Sequence, residues 1–260
     1  MDNSKIVVGI DIGSLSTDVV VLRCKDVLSY SIVPTLASSK DAAERGYREA
    51  LEKANLSPED ISRVVATGYG RHSTALAHKA VTEITCHALG ARHLYPEART
   101  VIDIGGQDSK VIKLAPDGRV EDFVMNDKCA AGTGRFLEVM ARSLDVPLES
   151  LGELSARAVR DVRITATCTV FAESEVVALV ARGVPKEEIV RGLHRAIAER
   201  IAGMVLRLRA QPPFVMTGGV AKNTGVVAAL REVLSSDVLV PSEPQIVGAL
   251  GAALVAQSGA

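Results

Sequence analysis

The sequence predicts an α/β protein built from two related lobes. Residues 5–22 contain an apolar strand, an Asp-Ile-Gly turn and a second apolar strand, and residues 100–114 repeat this order. Stretches with helical spacing follow both copies, which is the pattern of sheets covered by helices. A repeated unit of this kind indicates a duplicated architecture, with a cleft between its two halves.

Hydrophobic patterning predicts the elements of the first half. The predicted strands are apolar runs bounded by polar or glycine-containing turns, at residues 6–12, 17–23, 27–34 and 62–67. Residues 39–54 have the spacing of an amphipathic helix, and we expect 72–95 to be mostly helical as well.

The second half begins with the two strands of 100–114 and a third strand at 119–125. Residues 186–209 predict one long amphipathic helix, on which His194 is expected to face solvent. The segment 214–219 predicts a last buried strand that meets a glycine turn. Residues 248–257 predict a helix of small residues that is suited to close packing.

Composition excludes several classes of function. The chain has 260 residues with a formal net charge of −1, and binding to nucleic acid phosphates needs a basic surface. No apolar run reaches the length of about 18 residues that a membrane-spanning helix needs. The N-terminus lacks the basic and apolar regions of a signal peptide. We therefore expect a cytoplasmic protein with neither nucleic acid nor membrane as a partner.

Three turns at strand ends combine glycine with hydroxyl, acidic or amide side chains. Their candidate residues are Asp11, Gly13, Ser14, Ser16 and Thr17 in the first turn, Asp103, Gly105, Gly106 and Gln107 in the second, and Gly218, Gly219, Lys222 and Asn223 in the third. Glycine lets backbone N–H groups approach phosphate oxygens, and hydroxyl groups add donors. The chain contains neither GxxxxGKS nor GxxxxGKT, so these turns are not a P-loop.

The acidic and amide side chains of these turns suggest roles in phosphate chemistry. Asp11 and Asp103 are predicted to hold Mg²⁺, directly or through water. Gln107 is a neutral polar group that is suited to orienting an attacking water molecule. The third turn allows close approach to a flat ligand, or to a ribose and its α-phosphate.

Cys129 and Cys168 both lie in segments of small or polar residues that lead into predicted helices. The positive end of a helix stabilises a thiolate. Iron–sulfur clusters and structural zinc both need about four ligands, which two copies of this chain around a twofold axis would supply. By contrast, Cys24 and Cys86 are expected to be small buried residues in apolar surroundings.

Together these motifs resemble the actin/sugar kinase/Hsp70 superfamily, in which two related lobes clamp ATP. More closely, the chain resembles the activator (component A) of 2-hydroxyacyl-CoA dehydratases, within the BadF/BadG/BcrA/BcrD ATPase family. The motifs that carry this resemblance are ATGYGR, VIDIGGQDSKVI, NDKCAAGTGRFLEVMA, TCTVFAESEV, VMTGGVAKN and GALGAAL. They extend over nearly the whole chain.

The resemblance implies two actin-like (ribonuclease H-like) lobes with a nucleotide cleft between them. The first lobe would be 1–98 plus 243–260, since the C-terminal helix returns to it, and the second would be 99–242. ATP or ADP would bind with Mg²⁺ at the three turns, with further contacts from Gly132, Thr133 and Gly134. The protein would be a homodimer that shares one 4Fe–4S cluster, bound by Cys129 and Cys168 of both chains.

The resemblance further implies ATP-driven transfer of a low-potential electron. Ferredoxin or flavodoxin would be the donor, and a dehydratase or reductase with its own iron–sulfur cluster would be the acceptor. We hypothesise that Asp103, Gln107 and the loop 126–134 couple the nucleotide to the cluster, because one short hairpin (109–125) connects the second turn to that loop.

Other functions compete with this one. A benzoyl-CoA reductase or a double-cubane-cluster protein could be the partner instead of a dehydratase. A small-molecule kinase of the same superfamily would need a general base, for which Asp127 is the candidate. A regulatory ATP-binding module would use the same cysteines for a zinc site shared by two chains.

Overall fold

Two five-stranded sheets carry the fold of the computed structural model, which describes residues 5–126, 128–160, 162–165 and 168–259. The first sheet consists of β1 (Ile6–Ile12), β2 (Ser16–Arg23), β3 (Asp26–Pro34), β4 (Ile61–Thr67) and β5 (Lys79–Ala80). The second consists of β6 (Thr100–Ile104), β7 (Ser109–Leu114), β8 (Val120–Asn126), β9 (Phe214–Thr217) and β10 (Val238–Leu239).

The two sheets have the same topology. The strand order is β3-β2-β1-β4-β5 in the first and, read from the other end, β8-β7-β6-β9-β10 in the second. In each sheet the central strand pairs antiparallel with the strand that follows it and parallel with the strand on its other side. The structure thus confirms the predicted α/β fold and shows the repeat as a repeated sheet.

Eight α-helices lie in the described part of the chain. They are α1 (Ser39–Ala54), α2 (Glu83–Leu94), α3 (Gly134–Ser143), α4 (Leu151–Ala156), α5 (Thr169–Ala181), α6 (Lys186–Leu208), α7 (Thr224–Leu234) and α8 (Val247–Ser258). No helix among these residues is both long enough and apolar enough to cross a membrane.

The described residues form two compact units. The first comprises 5–98, 114–121 and 241–259, and the second comprises the described residues of 99–113 and 122–240. In the first unit, β1 is buried on both faces, and Val8, Ile10 and Ile12 belong to the core that includes residues of α1. The opposite face packs against α8, where a side chain on Gly9 would collide with the Ala249 carbonyl oxygen. The small residues of α8 thus allow the close packing that the sequence predicts.

The helix expected over 72–95 is shorter than predicted. It begins at Glu83, with Thr82 as its N-cap, and the preceding residues are irregular apart from β5. The backbone N–H groups of His78 and Val81 donate to carbonyls of β4, at 2.9 Å in both cases. The segment 78–81 thus pairs with the edge of β4 and does not form the first turns of the predicted helix. The spacing of apolar residues in the sequence does not indicate this tertiary contact.

The second unit buries the inner faces of α3, α5, α6 and α7 against the second sheet. His194 of α6 was expected to face solvent, but this prediction is wrong, because its side chain is fully buried. Its Nε2 atom lies 3.2 Å from the Asn223 amide nitrogen, which is a donor, so the neutral ring carries its proton on Nδ1. Gly225, in the first turn of α7, leaves the room that the ring occupies.

Burial of His194 predicts a loss of stability in mild acid. Desolvation lowers the pKa of His194 from 6.5 to about 4, because the charged imidazolium is disfavoured in the core. Between these values the unfolded chain takes up a proton that the folded chain does not, so stability falls as pH decreases. We expect His194→Gln to remove a loss on the order of 2 kcal/mol between pH 6.5 and 5, measured by chemical denaturation at both pH values. An unchanged pH dependence in this variant would contradict the assignment.

Candidate functional site

The first predicted turn joins β1 to β2 and is held closed by its own backbone. The Gly13 N–H donates to the Ser16 carbonyl oxygen at 2.9 Å. The Ser16 hydroxyl donates to Asp18 at 3.1 Å and accepts from the Gln245 amide at 2.8 Å. Ser14 is half-buried at the tip of the turn. Of the predicted residues in this turn, Ser14 is therefore the one best placed to meet a ligand.

Thr17, a predicted cofactor contact, lies inside the protein. Its side chain is fully buried, and its hydroxyl lies 2.9 Å from the Thr35 hydroxyl. The Thr35 hydroxyl in turn donates to the Gly13 carbonyl at 2.8 Å, so Thr17 is the donor to Thr35. This chain of hydrogen bonds fixes the carbonyl of Gly13 and shapes the turn from inside.

Asp11 ends β1 beneath this turn and is largely buried. Its carboxylate lies against Gly68 and Gly248, where an added side chain at either position would collide with it. The His87 Nε2 atom of α2 is 3.7 Å from Asp11 Oδ2. Local sequence patterns do not indicate this contact, because His87 and Asp11 are distant in the chain and only the packing of α2 brings them together.

The second predicted turn repeats the first. The Gly105 N–H donates to the Asp108 carbonyl oxygen at 3.0 Å, as Gly13 does to Ser16. Gln107 is exposed on this closed turn. Asp103 ends β6 below the turn and is only 2% exposed.

Both oxygens of Asp103 have protein partners. Oδ2 accepts from the Lys110 ammonium at 3.1 Å, and Oδ1 accepts from the Thr217 hydroxyl at 3.0 Å. The same ammonium lies 2.9 Å from Asp108 Oδ1. Lys110 was not among the predicted site residues, although the register of the β6–β7 hairpin, set by the Gly105–Asp108 turn, places it directly opposite Asp103.

The third predicted turn follows β9 and has a counterpart in the first unit. Gly218 adopts a φ of 84°, and a side chain there would collide with Asp103 and with the Ile104 carbonyl. Gly68, after β4, has a φ of 85° and lies against Asp11 in the same way. The dipeptide Thr-Gly, present at both places, is the sequence signal of this second repeat.

Lys222 and Asn223 lie beyond the third turn. Lys222 is exposed, whereas Asn223 is the N-cap of α7. The side-chain oxygen Oδ1 of Asn223 accepts from the N–H groups of Gly225 and Val226, and its side-chain nitrogen Nδ2 faces His194. Both ends of the Asn223 side chain thus have partners within the protein, and they join α6 to α7.

A pair of backbone hydrogen bonds connects the second turn to the start of α3. The N–H groups of Gly134 and Arg135 donate to the carbonyls of Gly105 and Gly106, at 2.9 and 2.8 Å. These N–H groups belong to the first turn of α3 and have no partner within the helix. Gly134, predicted to contact the nucleotide, is therefore hydrogen-bonded to the second predicted turn.

The loop before α3 positions Cys129, which is partly exposed. The Asn126 amide donates to the Cys129 carbonyl at 2.9 Å. Thr133 is buried, and its hydroxyl donates to the Ala130 carbonyl at 2.6 Å. α3 begins at Gly134, so Cys129 lies five residues before the helix and not at its first turn, as the sequence had suggested.

Cys168 is the N-cap of α5, as predicted, and is partly exposed. Glu175 of this helix accepts hydrogen bonds from the backbone N–H and the hydroxyl of Thr165, which anchors the segment before the cysteine. Asp127, the candidate base of a kinase, lies outside the described residues, as do 166–167 of the second cysteine motif.

The other two cysteines differ from each other. Cys86 is fully buried, as expected, and burial raises the pKa of its thiol to about 12. Cys24 was expected to be buried but is partly exposed, because it occupies the β2–β3 turn with a φ of 59°.

The duplicated sheets and their paired Asp and Gly turns define an ATPase of actin-like fold. The model of the BadF/BadG/BcrA/BcrD ATPase family matches residues 8–256, and the chain belongs to this family. It is 49% identical over 253 residues to the activator of lactoyl-CoA dehydratase from Anaerotignum propionicum, with 97% of both chains covered.

Two solved structures are similar over nearly the whole chain. The (R)-2-hydroxyglutaryl-CoA dehydratase component A of Acidaminococcus fermentans superposes with a TM-score of 0.95 at 44% identity, covering 98% of this chain and 99% of that one. The activator of the 2-hydroxyisocaproyl-CoA dehydratase from Clostridium difficile, with bound ADPNP, gives 0.93 at 43% identity, covering 98% and 95%.

The contact between Gly218 and Asp103 predicts that this position accepts only glycine. Gly218→Ala places a side chain at positive φ and against a buried carboxylate, so we expect a destabilisation of about 1–3 kcal/mol. Gly203→Ala is the control, because its added methyl group meets no atom within 4 Å on α6. Thermal unfolding compares the two variants, and equal midpoints would show that the contact is unimportant.

Proposed function

We propose that this protein is an ATP-hydrolysing activator that passes a low-potential electron to a 2-hydroxyacyl-CoA dehydratase. The observation that carries the proposal is the pair of hydrogen bonds from Gly134 and Arg135 to Gly105 and Gly106, because it connects a phosphate turn to the loop of Cys129. The high identity to dehydratase activators over the full chain supports the choice of partner. Benzoyl-CoA reductases and double-cubane-cluster proteins are the alternative partners.

The residues of the turns fit a nucleotide. Both Asp-Ile-Gly turns are closed by a backbone hydrogen bond, and each leaves a polar side chain, Ser14 or Gln107, at its tip. Gln107 would orient the attacking water, and Asp11 would hold Mg²⁺ through water. Bound Mg·ATP supplies the free energy of hydrolysis.

The thiols fit half of a metal centre. Cys129 and Cys168 are both partly exposed in the second unit. Among the described residues, no three His, Cys, Asp or Glu side chains are grouped so that they could hold a metal ion. We therefore propose that two chains share one 4Fe–4S cluster, which when bound supplies a one-electron carrier.

The surface of α5 supports such a homodimer. This helix starts directly after Cys168, and Val170, Phe171 and Val177 are 66%, 70% and 55% exposed on it. Exposed apolar side chains at this density are typical of a surface that a partner covers. A second copy of the chain, brought there by the shared cluster, would bury them.

Electron transfer requires a donor and a control by the nucleotide. Ferredoxin or flavodoxin is the proposed donor. The proposed switch comprises Asp103, Gln107 and the loop 126–134. Movement of the second turn would be transmitted to the first turn of α3 through the hydrogen bonds between them. Hydrogen bonding and solvation around an iron–sulfur cluster set its reduction potential, so this movement would change the reduction potential of the cluster.

The cysteine variants test the cluster and the function together. The anaerobic wild-type protein should be brown, contain about four iron atoms per dimer, and activate a 2-hydroxyacyl-CoA dehydratase with ATP and reduced ferredoxin. Cys129→Ala and Cys168→Ala should lose the iron and the activation, whereas Cys24→Ala, the control, should keep both. A colourless protein that contains zinc or phosphorylates a sugar would refute the proposal.

A second prediction concerns the link between the nucleotide and the cluster. The cluster potential of the wild type should differ between ADP and a non-hydrolysable ATP analogue. Gly134→Pro removes one N–H donor of the link, and proline is favoured at the first helical position. Thr133 before it is already extended, with φ −118° and ψ 175°, as a residue before proline should be.

We expect Gly134→Pro to reduce the difference in potential between the two nucleotides while the cluster is retained. Gly134→Ala is the matched control, because it keeps the N–H group and its methyl group would make only ordinary contacts, the nearest at 3.4 Å. Potentials from redox titration of both variants decide the question. A full nucleotide effect in Gly134→Pro would exclude this route of coupling.

A further inference from the structure

The two carboxylates that end the central strands have opposite cross-strand partners. Asp11 of β1 pairs in register with Asp18 of β2, whereas Asp103 of β6 pairs with Lys110 of β7. All four side chains are buried. Residues directly opposite each other on antiparallel strands point to the same face of the sheet and interact strongly. The duplication has therefore kept the acidic residue but reversed the charge beside it.

Lys110 is the centre of a buried ionic cluster. It is 2% exposed, and its ammonium contacts Asp103 at 3.1 Å and Asp108 at 2.9 Å. Burial of an ammonium is unfavourable unless charged partners surround it, and two carboxylates satisfy this condition. Asp103 precedes the second turn and Asp108 lies at its end, where the Asp108 carbonyl accepts from the Gly105 N–H. The Lys110 ammonium therefore contacts a carboxylate on each side of the turn.

This arrangement gives both oxygens of Asp103 a partner from the protein itself. Its Oδ2 faces the lysine, its Oδ1 accepts from Thr217, and Gly218 packs directly against it. A carboxylate that binds a divalent cation, directly or through water, has to present an oxygen to it. The sequence alone assigned Asp103 to Mg²⁺, but the site that the structure shows already contains a cation of the protein's own.

We propose, on the basis of the proposed nucleotide function, that Lys110 is a positioning residue whose ammonium occupies the place of a metal ion at Asp103. Asp103 then braces the second turn against the third through Thr217, and it ligates no metal. The divalent cation that accompanies the nucleotide is assigned to Asp11, which is 8% exposed and pairs across the strands with Asp18 and not with a lysine. The two halves of the repeat therefore differ in function. Asp11 of the first half interacts with the divalent cation, whereas Asp103 of the second half stabilises the two turns.

The two carboxylates should bind a metal once the lysine is removed. Asp103 and Asp108 both contact the Lys110 ammonium, so Lys110→Met leaves the two carboxylates without their shared cation, and paired carboxylates favour a divalent ion. Lys110→Arg keeps the positive charge and should not create the site. This arm of the experiment uses Mn²⁺ alone, without nucleotide, so it does not depend on the proposed function.

The test is Mn²⁺ binding to the full-length anaerobic protein, followed by electron paramagnetic resonance of the free ion. Without nucleotide, Lys110→Met should bind one Mn²⁺ per chain more than the wild type or Lys110→Arg, and the double variant Lys110→Met/Asp103→Asn should lose this extra ion. At saturating ADP, Asp11→Asn should weaken Mn²⁺ binding at least tenfold, whereas Asp103→Asn should leave it within about twofold of the wild type.

Two results would overturn the proposal. One is a folded Lys110→Met variant, checked by circular dichroism, that binds no extra Mn²⁺. The other is a loss of Mn²⁺ affinity in Asp103→Asn that equals the loss in Asp11→Asn. If Lys110→Met does not fold, the comparison of the two Asp→Asn variants decides alone. Failure of the wild type to bind ADP at all would refute the proposed nucleotide function and would leave the nucleotide-free arm valid.

Discussion

The contact between a buried carboxylate and a glycine at positive φ is the constraint on which both halves of this protein depend. Asp11 lies against Gly68, and Asp103 lies against Gly218, at the carboxyl ends of neighbouring parallel strands. Only glycine lets the backbone pass this close to the carboxylate. Each turn that follows the acidic residue is then closed by its own hydrogen bond, from Gly13 or Gly105. The geometry of both candidate phosphate sites thus originates in the packing of the strand ends.

The second unit adds a mechanical connection to this frame. The carbonyls of Gly105 and Gly106 are acceptors for the first N–H groups of α3, so turn and helix form one hydrogen-bonded body. Cys129 precedes that helix by five residues and is fastened by Asn126. A movement of the second turn would therefore be transmitted to the start of α3, the helix that follows the loop of Cys129. This is the physical basis for proposing that hydrolysis and cluster chemistry are coupled in this protein.

Two features of the second unit support the proposed cluster shared by two chains. The two partly exposed thiols are half of the ligands that an iron–sulfur cluster needs, and α5 exposes apolar side chains beside one of them. A shared centre between two copies would satisfy both at once. Such a centre would also be sensitive to the angle between the copies, because each chain contributes symmetric ligands.

The sequence by itself determined the repeat, the α/β class, the three glycine turns and the special position of Cys129 and Cys168, because these are local patterns of hydrophobicity and residue type. It failed where partners come from distant segments. The edge of β4 replaced the start of a predicted helix, and the packing of α7 buried His194. Only the tertiary structure paired Asp103 with Lys110 and Asp11 with His87. Hydrophobic periodicity indicates which face of a strand or helix is buried. Cross-strand register and helix packing determine which charged side chains contact each other.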